Sequence, residues 1–184
     1  MSFGVRDIVL CDSLGVIHPG RSDLNSSKME MARITNRKDK TGSIAEAMDG
    51  ADVFVGVSAP GIVSEEMVRS MAKDSILFAM ANPVPEIMPD LAKKAGARVI
   101  ATGRSDFLNQ VNNVLGFPGI FRGALDVRAR EINEDMKMAA ARAIARLAEP
   151  ISEECIIPSP LDRRVVPRVD EAVARAAERI GLLG

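Results

Sequence analysis

The chain has 184 residues, 47% of them hydrophobic and 27% charged, with 24 basic side chains against 25 acidic ones. That balance is ordinary globular material for one domain with an added helical element, and it argues against a disordered tail, a nucleic-acid footprint or an anionic membrane partner. With no apolar run near the roughly 18 residues of a membrane span and no signal peptide visible, the cytoplasm is the expected compartment.

In chain order, DIVLCD (7–12) reads as a strand and SSKMEMARIT (26–35) as a helix with Ser at its start. SIAEAMDGA (43–51) reads as a short helix capped by Ser43, and DVFVGVS (52–58) as a buried, β-branched strand. SEEMVRSMAKD (64–74) follows as a helix with Ser64 as N-cap and acids in its first turn. SILFAMAN (75–82) is the third strand, PDLAKKAG (89–96) a helix stopped by Gly96, and ARVIATG (97–103) the fourth strand. Continuous apolar strands alternating with helices predict a parallel α/β sheet covered on both faces, with right-handed crossovers.

From about residue 112 the pattern turns helical. Ile132, Met136, Ala140, Ile144 and Leu147 recur at helical spacing, and Pro150 marks the stop. IIPSPLDRRVVP (156–167) is a proline-punctuated loop, and 168–183 a closing amphipathic helix.

The chain has no Trp, no Tyr and a single His, so the usual proton-transfer residues are scarce. His18, between VI and PG, reads as a loop residue rather than a catalyst. Cys11 and Cys155 read as two lone buried thiols, neither a disulfide frame nor a metal site.

Ligands of open parallel sheets bind at the carboxyl ends of the strands. Those ends carry Asp12-Ser13, GVSAPG (56–61), Asn82-Pro83-Val84-Pro85-Glu86 and Thr102-Gly103-Arg104-Ser105-Asp106. Small polar residues with Gly and Pro let a ligand approach backbone N–H donors, although such residues also serve ordinary turns. An apolar strand ending in an aspartate is the form that places a carboxylate on a cofactor ribose, about 20 residues after a glycine-rich phosphate loop. Only eleven residues precede Asp12, and no GxGxxG or GxxxxGK[ST] string occurs. Asn109, Gln110, Asn112 and Asn113 cluster before a Phe117-Pro118-Gly119 turn; they form either a polar pocket or partners for buried backbone.

Together IVLCDSLGVIHPGR, ADVFVGVSAPG, FAMANPVPEI, ATGRSDFLNQVNNVLGFPGIFRGALDVRAREIN and IIPSPLDRRVVP resemble the cofactor-binding domain of malic enzyme, the NAD(P)-dependent oxidative decarboxylase of malate. They keep the family's order and cover residues 5 to about 170, closer to the shorter bacterial and archaeal forms than to the animal ones. The resemblance implies a Rossmann-like parallel sheet with flanking helices that lacks its first strand and glycine-rich loop, plus C-terminal helices. It divides the chain into a partial NAD(P)-binding domain over 1–130 and a helical extension over 131–184 packed on it. The chain would begin about where the first helix of that domain ends. It would therefore be a fragment, a split gene product or a deliberately cut piece.

By the same resemblance Asp12 holds the adenine ribose with Ser13 and Leu14 beside it. Ser58 faces the pyrophosphate or the nicotinamide ribose. Asn82 and Asn113 contact substrate, and Asn82 and Asn112 the cofactor. Leu14 stands where members using the phosphorylated cofactor often carry a basic residue, which favours NAD, with Arg21 still within reach of NADP. The family's catalytic tyrosine and lysine, and the acids that hold its Mg or Mn ion, fall outside the matching strings. No catalytic residue and no metal ligand is therefore expected in this chain, which alone would be inactive.

Two readings follow. One is the cofactor- and substrate-binding part of a malic enzyme, converting malate to pyruvate with reduction of NAD(P) once a missing N-terminal catalytic half is supplied. The other is a truncated, non-catalytic nucleotide-binding or subunit-interaction module. Either should form a homo-oligomer, because a parallel sheet without its first strand exposes an apolar edge.

Overall fold

The computed structural model describes residues 4, 5 and 7–181. Residues 1–3, where the end of a preceding helix was expected, lie outside the described residues, as do 182–184. Near the start, β1 (Cys11–Asp12) and β2 (Gly15–Val16) pair antiparallel as a small hairpin. The expected first parallel strand over 7–12 is therefore absent from the main sheet. Its backbone acceptors are taken elsewhere: the Ile8 carbonyl accepts from Asn36 N (2.6 Å) and the Leu10 carbonyl from Ile17 N (2.7 Å). A strand's pairing is decided by which chain lies beside it, and here that chain is a loop.

Helix α1 (Ser26–Ile34) is capped by Asn25, whose side chain accepts from Lys28 N, one residue before the serine that the sequence suggested. Helix α2 (Ile44–Met48) carries a full capping box. Ser43 Oγ accepts from Glu46 N, and Glu46 Oε2 accepts from Ser43 N at 2.6 Å.

The main sheet follows, in the order β3 (Val53–Gly56), β4 (Ile76–Ala79) and β5 (Val99–Thr102), all parallel. Ser64 caps α3 (Glu65–Ser70), and α4 (Pro89–Lys94) starts on a proline, where no intrahelical N–H is lost. One face of the sheet carries Leu77 and Ala79, packed under Met48 of α2, Val68 of α3 and Ala92 of α4. Full burial of a side chain such as Leu77 contributes about 1.5–3 kcal/mol. The opposite face is covered at β5, where Val99 and Ala101 are buried, but open at β3, where Val53 and Val55 are exposed. The expectation that 52–58 is a buried strand fails on that face, because β3 is an edge strand with no helix over its valines.

The C-terminal helices form a second core. After a 3₁₀ turn (Asn113–Leu115), α5 (Phe117–Asp126), α6 (Glu134–Leu147) and α7 (Val165–Arg179) pack around Met136, Ala140, Val169 and Val173. Pro118 does not make a turn; it lies in the first turn of α5, where proline is tolerated. Pro167 likewise sits in the first turn of α7, which begins inside the stretch expected to be loop. Gly119 and Gly123 let α5 approach α7 closely: a Cβ at Gly123 would lie 2.5 Å from the Asp170 carbonyl oxygen, and one at Gly119 would lie 2.6 Å from Val169 Cβ. Among the described residues no helix is long and apolar enough to cross a membrane.

Candidate functional site

The register of the sheet sets the site. Gly56 pairs with Ala79 and Ala79 with Thr102, so the three strands end level and their following loops open on one edge. The loop after β3 holds Ser58, which is exposed. The loop after β4 holds Asn82, also exposed, and a cis peptide joins it to Pro83. After β5 the chain turns back on the strand end, with Val111 N donating to the Thr102 carbonyl at 2.8 Å. Exposed Asn112 and Asn113 follow directly. Arg104 Nη1 donates to the Pro83 carbonyl at 3.4 Å and ties the β4 and β5 loops together.

Glu86 joins the β3 and β4 loops. Its side chain has no exposed surface. One carboxylate oxygen, Oε1, accepts from Ser58 N at 2.9 Å and from Ser58 Oγ at 3.0 Å; the other accepts from Ala81 N at 2.9 Å. The backbone of the same segment adds Gly61 N to the Pro85 carbonyl (3.1 Å) and Val63 N to the Glu86 carbonyl (3.0 Å). A Cβ at Gly56 would stand 2.5 Å from the Glu86 carboxyl carbon, so only glycine at the end of β3 leaves room for that carboxylate.

Asp12 and Ser13 lie apart from these loops, in an open cleft of about 610 Å³ lined also by His18, Arg21, Gly42 and Ser43. The Asp12 carboxylate is fully engaged. Oδ1 accepts from Arg21 Nη1 (2.8 Å) and Leu14 N (3.0 Å); Oδ2 accepts from Arg21 Nη2 (3.1 Å) and Lys28 Nζ (2.5 Å). Those four donors fill the roughly four acceptor sites of a carboxylate. The Arg21 guanidinium, then the Lys28 ammonium, hold the Asp12 carboxyl well below the usual carboxylate range. Arg21 is raised in turn, first by Asp23 and then by Asp12. Burial, helped by Asp12, pushes the Cys11 thiol up. Cys155 is exposed and free rather than buried, because its loop lies over the surface. His18 behaves as a loop residue, its Nδ1 accepting from Gly20 N at 3.2 Å.

The amide cluster divides. Asn109 is buried, with a positive φ of 54°, and satisfies three backbone groups on two segments. Its Nδ2 donates to the Ile100 (3.1 Å) and Glu153 (2.9 Å) carbonyls, and its Oδ1 accepts from Ile156 N (2.9 Å). Asn112 caps the 3₁₀ turn through Val114 N at 3.0 Å. So Asn109 fastens the sheet to the loop before α7, and Asn113 is left open to solvent. Among the described residues no hydrogen bond joins the Asp12 cleft to Ser58, Asn82, Asn112 or Asn113. Those four share the strand-end edge, whereas Asp12 stands on its own hairpin.

Sequence reasoning missed Glu86 and Lys28 as organisers of these loops. Glu86 had a signal, a lone acid within the otherwise apolar VPEIMP. Lys28 had none, since nothing local says that the first turn of α1 faces Asp12.

The family model of the malic enzyme NAD-binding domain matches residues 4–178. The bifunctional malic/malolactic enzyme of Bacillus subtilis is 58% identical over 183 residues, covering 98% of this chain and 45% of that protein. The NAD-dependent malic enzyme of Geobacillus stearothermophilus is 54% identical, with 99% and 38% covered. The crystal structure of the NAD-dependent malic enzyme of Thermotoga maritima superposes with a TM-score of 0.90 at 43% identity, covering 94% of this chain and 46% of that one. This chain thus spans less than half the length of those relatives. Level strand ends, the hairpin aspartate and a match running over almost every residue agree on one assignment: the chain belongs to the malic enzyme NAD-binding domain family.

Proposed function

We propose that this chain is the cofactor- and substrate-binding part of a malic enzyme that oxidatively decarboxylates malate to pyruvate with reduction of NAD(P). The observation that carries this reading is the level end of β3, β4 and β5, which gathers Ser58, Asn82, Asn112 and Asn113 on one edge. When bound, the nicotinamide supplies the acceptor for the hydride from C2 of malate. Asp12 and Ser13 receive the adenine ribose. Because Asp12 is saturated, a ribose hydroxyl enters by displacing Lys28, its more exposed partner, whose side chain keeps 40% of its surface. Ser58 faces the pyrophosphate or the nicotinamide ribose, Asn112 the nicotinamide side, and Asn82 and Asn113 hold the substrate carboxylates and hydroxyl through neutral amides. NAD is favoured over NADP, since Leu14 is apolar and Arg21 is already bound to Asp12 and Asp23.

Among the described residues no group of three or more His, Cys, Asp or Glu side chains gathers to hold a metal. The Mg or Mn ion, and the acids and bases of the reaction, belong to the N-terminal half of the full enzyme. Malate and that half are the partners. A homo-oligomer forms through the apolar edge at β3.

A second reading, a non-catalytic nucleotide-binding or subunit-interaction module, is favoured by the exposed Val53, Val55 and Val57. Isothermal titration with NAD and NADP, with and without an added malic enzyme N-terminal half, separates the two. Malate-dependent reduction is followed in parallel. Turnover on complementation supports the enzyme part; binding with no turnover after complementation supports the module.

A further inference from the structure

Among the described residues Glu86 is the only acidic side chain that is buried, and the proposed reaction gives it no task. We propose that Glu86 is a positioning residue that locks the loop after β3 to the loop after β4 and consumes both donors of Ser58. Ser58 then meets its ligand only as an acceptor, and takes a ribose hydroxyl or an amide N–H rather than a phosphate oxygen. This deepens the reading above and rests on it.

The argument is one of hydrogen-bond inventory. A carboxylate has no proton to give, so the 3.0 Å contact between Ser58 Oγ and Glu86 Oε1 requires the serine to donate. Ser58 N–H points at the same oxygen at 2.9 Å. What the exposed hydroxyl keeps for a ligand is its lone pairs. A phosphate oxygen needs donors and would find none on Ser58, with a negative carboxylate directly behind it. A sugar hydroxyl or a carboxamide brings its own proton and fits. Of the two ligand groups expected opposite Ser58, the pyrophosphate is therefore disfavoured and the nicotinamide ribose retained.

The lock is built from distant parts of the chain. Ser58 lies 28 residues from Glu86 in sequence and Ala81 five. Gly56 supplies the room, since any Cβ there would strike the carboxylate. The second oxygen, on Ala81 N, fixes the Met80–Ala81 peptide, one residue ahead of Asn82.

The test uses the chain, alone and supplemented with a malic enzyme N-terminal half, in wild-type, Glu86→Gln and Ser58→Ala forms. Glutamine fills the same volume, so a merely space-filling role predicts no change. The lock predicts a conflict, because the glutamine –NH₂ must face a backbone N–H. Amide exchange by NMR should show Ser58 and Ala81 protected in wild type. At least one of them should exchange about tenfold faster in Glu86→Gln, as expected for losing a buried hydrogen bond. NAD affinity should fall by about the same factor. For the acceptor role, NAD is compared with ADP, which carries the pyrophosphate but not the nicotinamide ribose. Ser58→Ala should weaken NAD and leave ADP unchanged.

Equal exchange in wild type and Glu86→Gln overturns the lock, whatever binds. Equal weakening of NAD and ADP by Ser58→Ala overturns the acceptor assignment. Failure of wild type to bind either ligand, even when supplemented, overturns the dinucleotide reading and with it the ligand of Ser58; the exchange data still decide the lock.

Discussion

Arg21 grips Asp12 with both terminal guanidinium nitrogens, Nη1 on Oδ1 at 2.8 Å and Nη2 on Oδ2 at 3.1 Å. The planar fork matches the carboxylate, and the pair lies in a cleft where Arg21 keeps only 10% of its side-chain surface and Asp12 16%. Asp12 is thus a structural anion as well as the proposed ribose ligand, since it pins the loop at residue 21 and the first turn of α1 to the β1–β2 hairpin.

The pair makes stability depend on pH. The folded-state pKa of Asp12 is depressed, by Arg21 first and Lys28 second. Its contribution is therefore complete above the unfolded value of about 3.9 and is lost as pH falls below it toward the folded value. Thermal melts from pH 6 down to pH 3 should show wild type losing stability at the acid end. Asp12→Asn should start lower and show a shallower slope there; parallel slopes would remove Asp12 as the cause.

Gly123→Ala places a methyl group 2.5 Å from the Asp170 carbonyl oxygen and 3.0 Å from Val173 Cβ. Such overpacking costs about 1–3 kcal/mol, which lowers Tm by roughly 2–4 °C per kcal/mol in a chain of this size. The methyl would gain helix propensity, so an unchanged or raised Tm would mean that α5 and α7 separate without cost.

Asn109→Ala strips two donors and an acceptor from partly buried backbone at Ile100, Glu153 and Ile156. Leaving such groups unpaired costs about 1–3 kcal/mol, with further strain from alanine at positive φ. Urea unfolding should show the loss. Asn113→Ala, at an exposed position, should leave the urea midpoint where it is and weaken malate binding in the complemented enzyme.

Val53, Val55 and Val57 present an apolar row on the open side of β3. Sedimentation of the chain alone should find association, and Val55→Lys should reduce it, since a charge on an edge strand opposes pairing. A sharply monomeric wild type at micromolar concentration would contradict association through this edge.

Much of this molecule was determined locally. The capping box at Ser43–Glu46, the Ser64 cap, the apolar cores of the three parallel strands and the stripe of α6 all follow from residues within a turn or a strand of one another. Local hydrogen bonding and side-chain periodicity are short-range effects, and sequence displays them directly. What only the tertiary structure decided depends on which distant segments meet. DIVLCD has the pattern of a parallel strand, yet its carbonyls bind Asn36 and Ile17, so it joins no parallel sheet. Asn109 looked like one member of a ligand pocket and is instead held by backbone 44 and 47 residues away. Val53 and Val55 have the composition of a buried strand and stand exposed, because burial belongs to what covers a residue rather than to the residue. Glu86 and Lys28 take their roles from partners 28 and 16 residues distant. A polar side chain reveals its capacity for hydrogen bonds in the sequence, but the choice among partners is made by the fold.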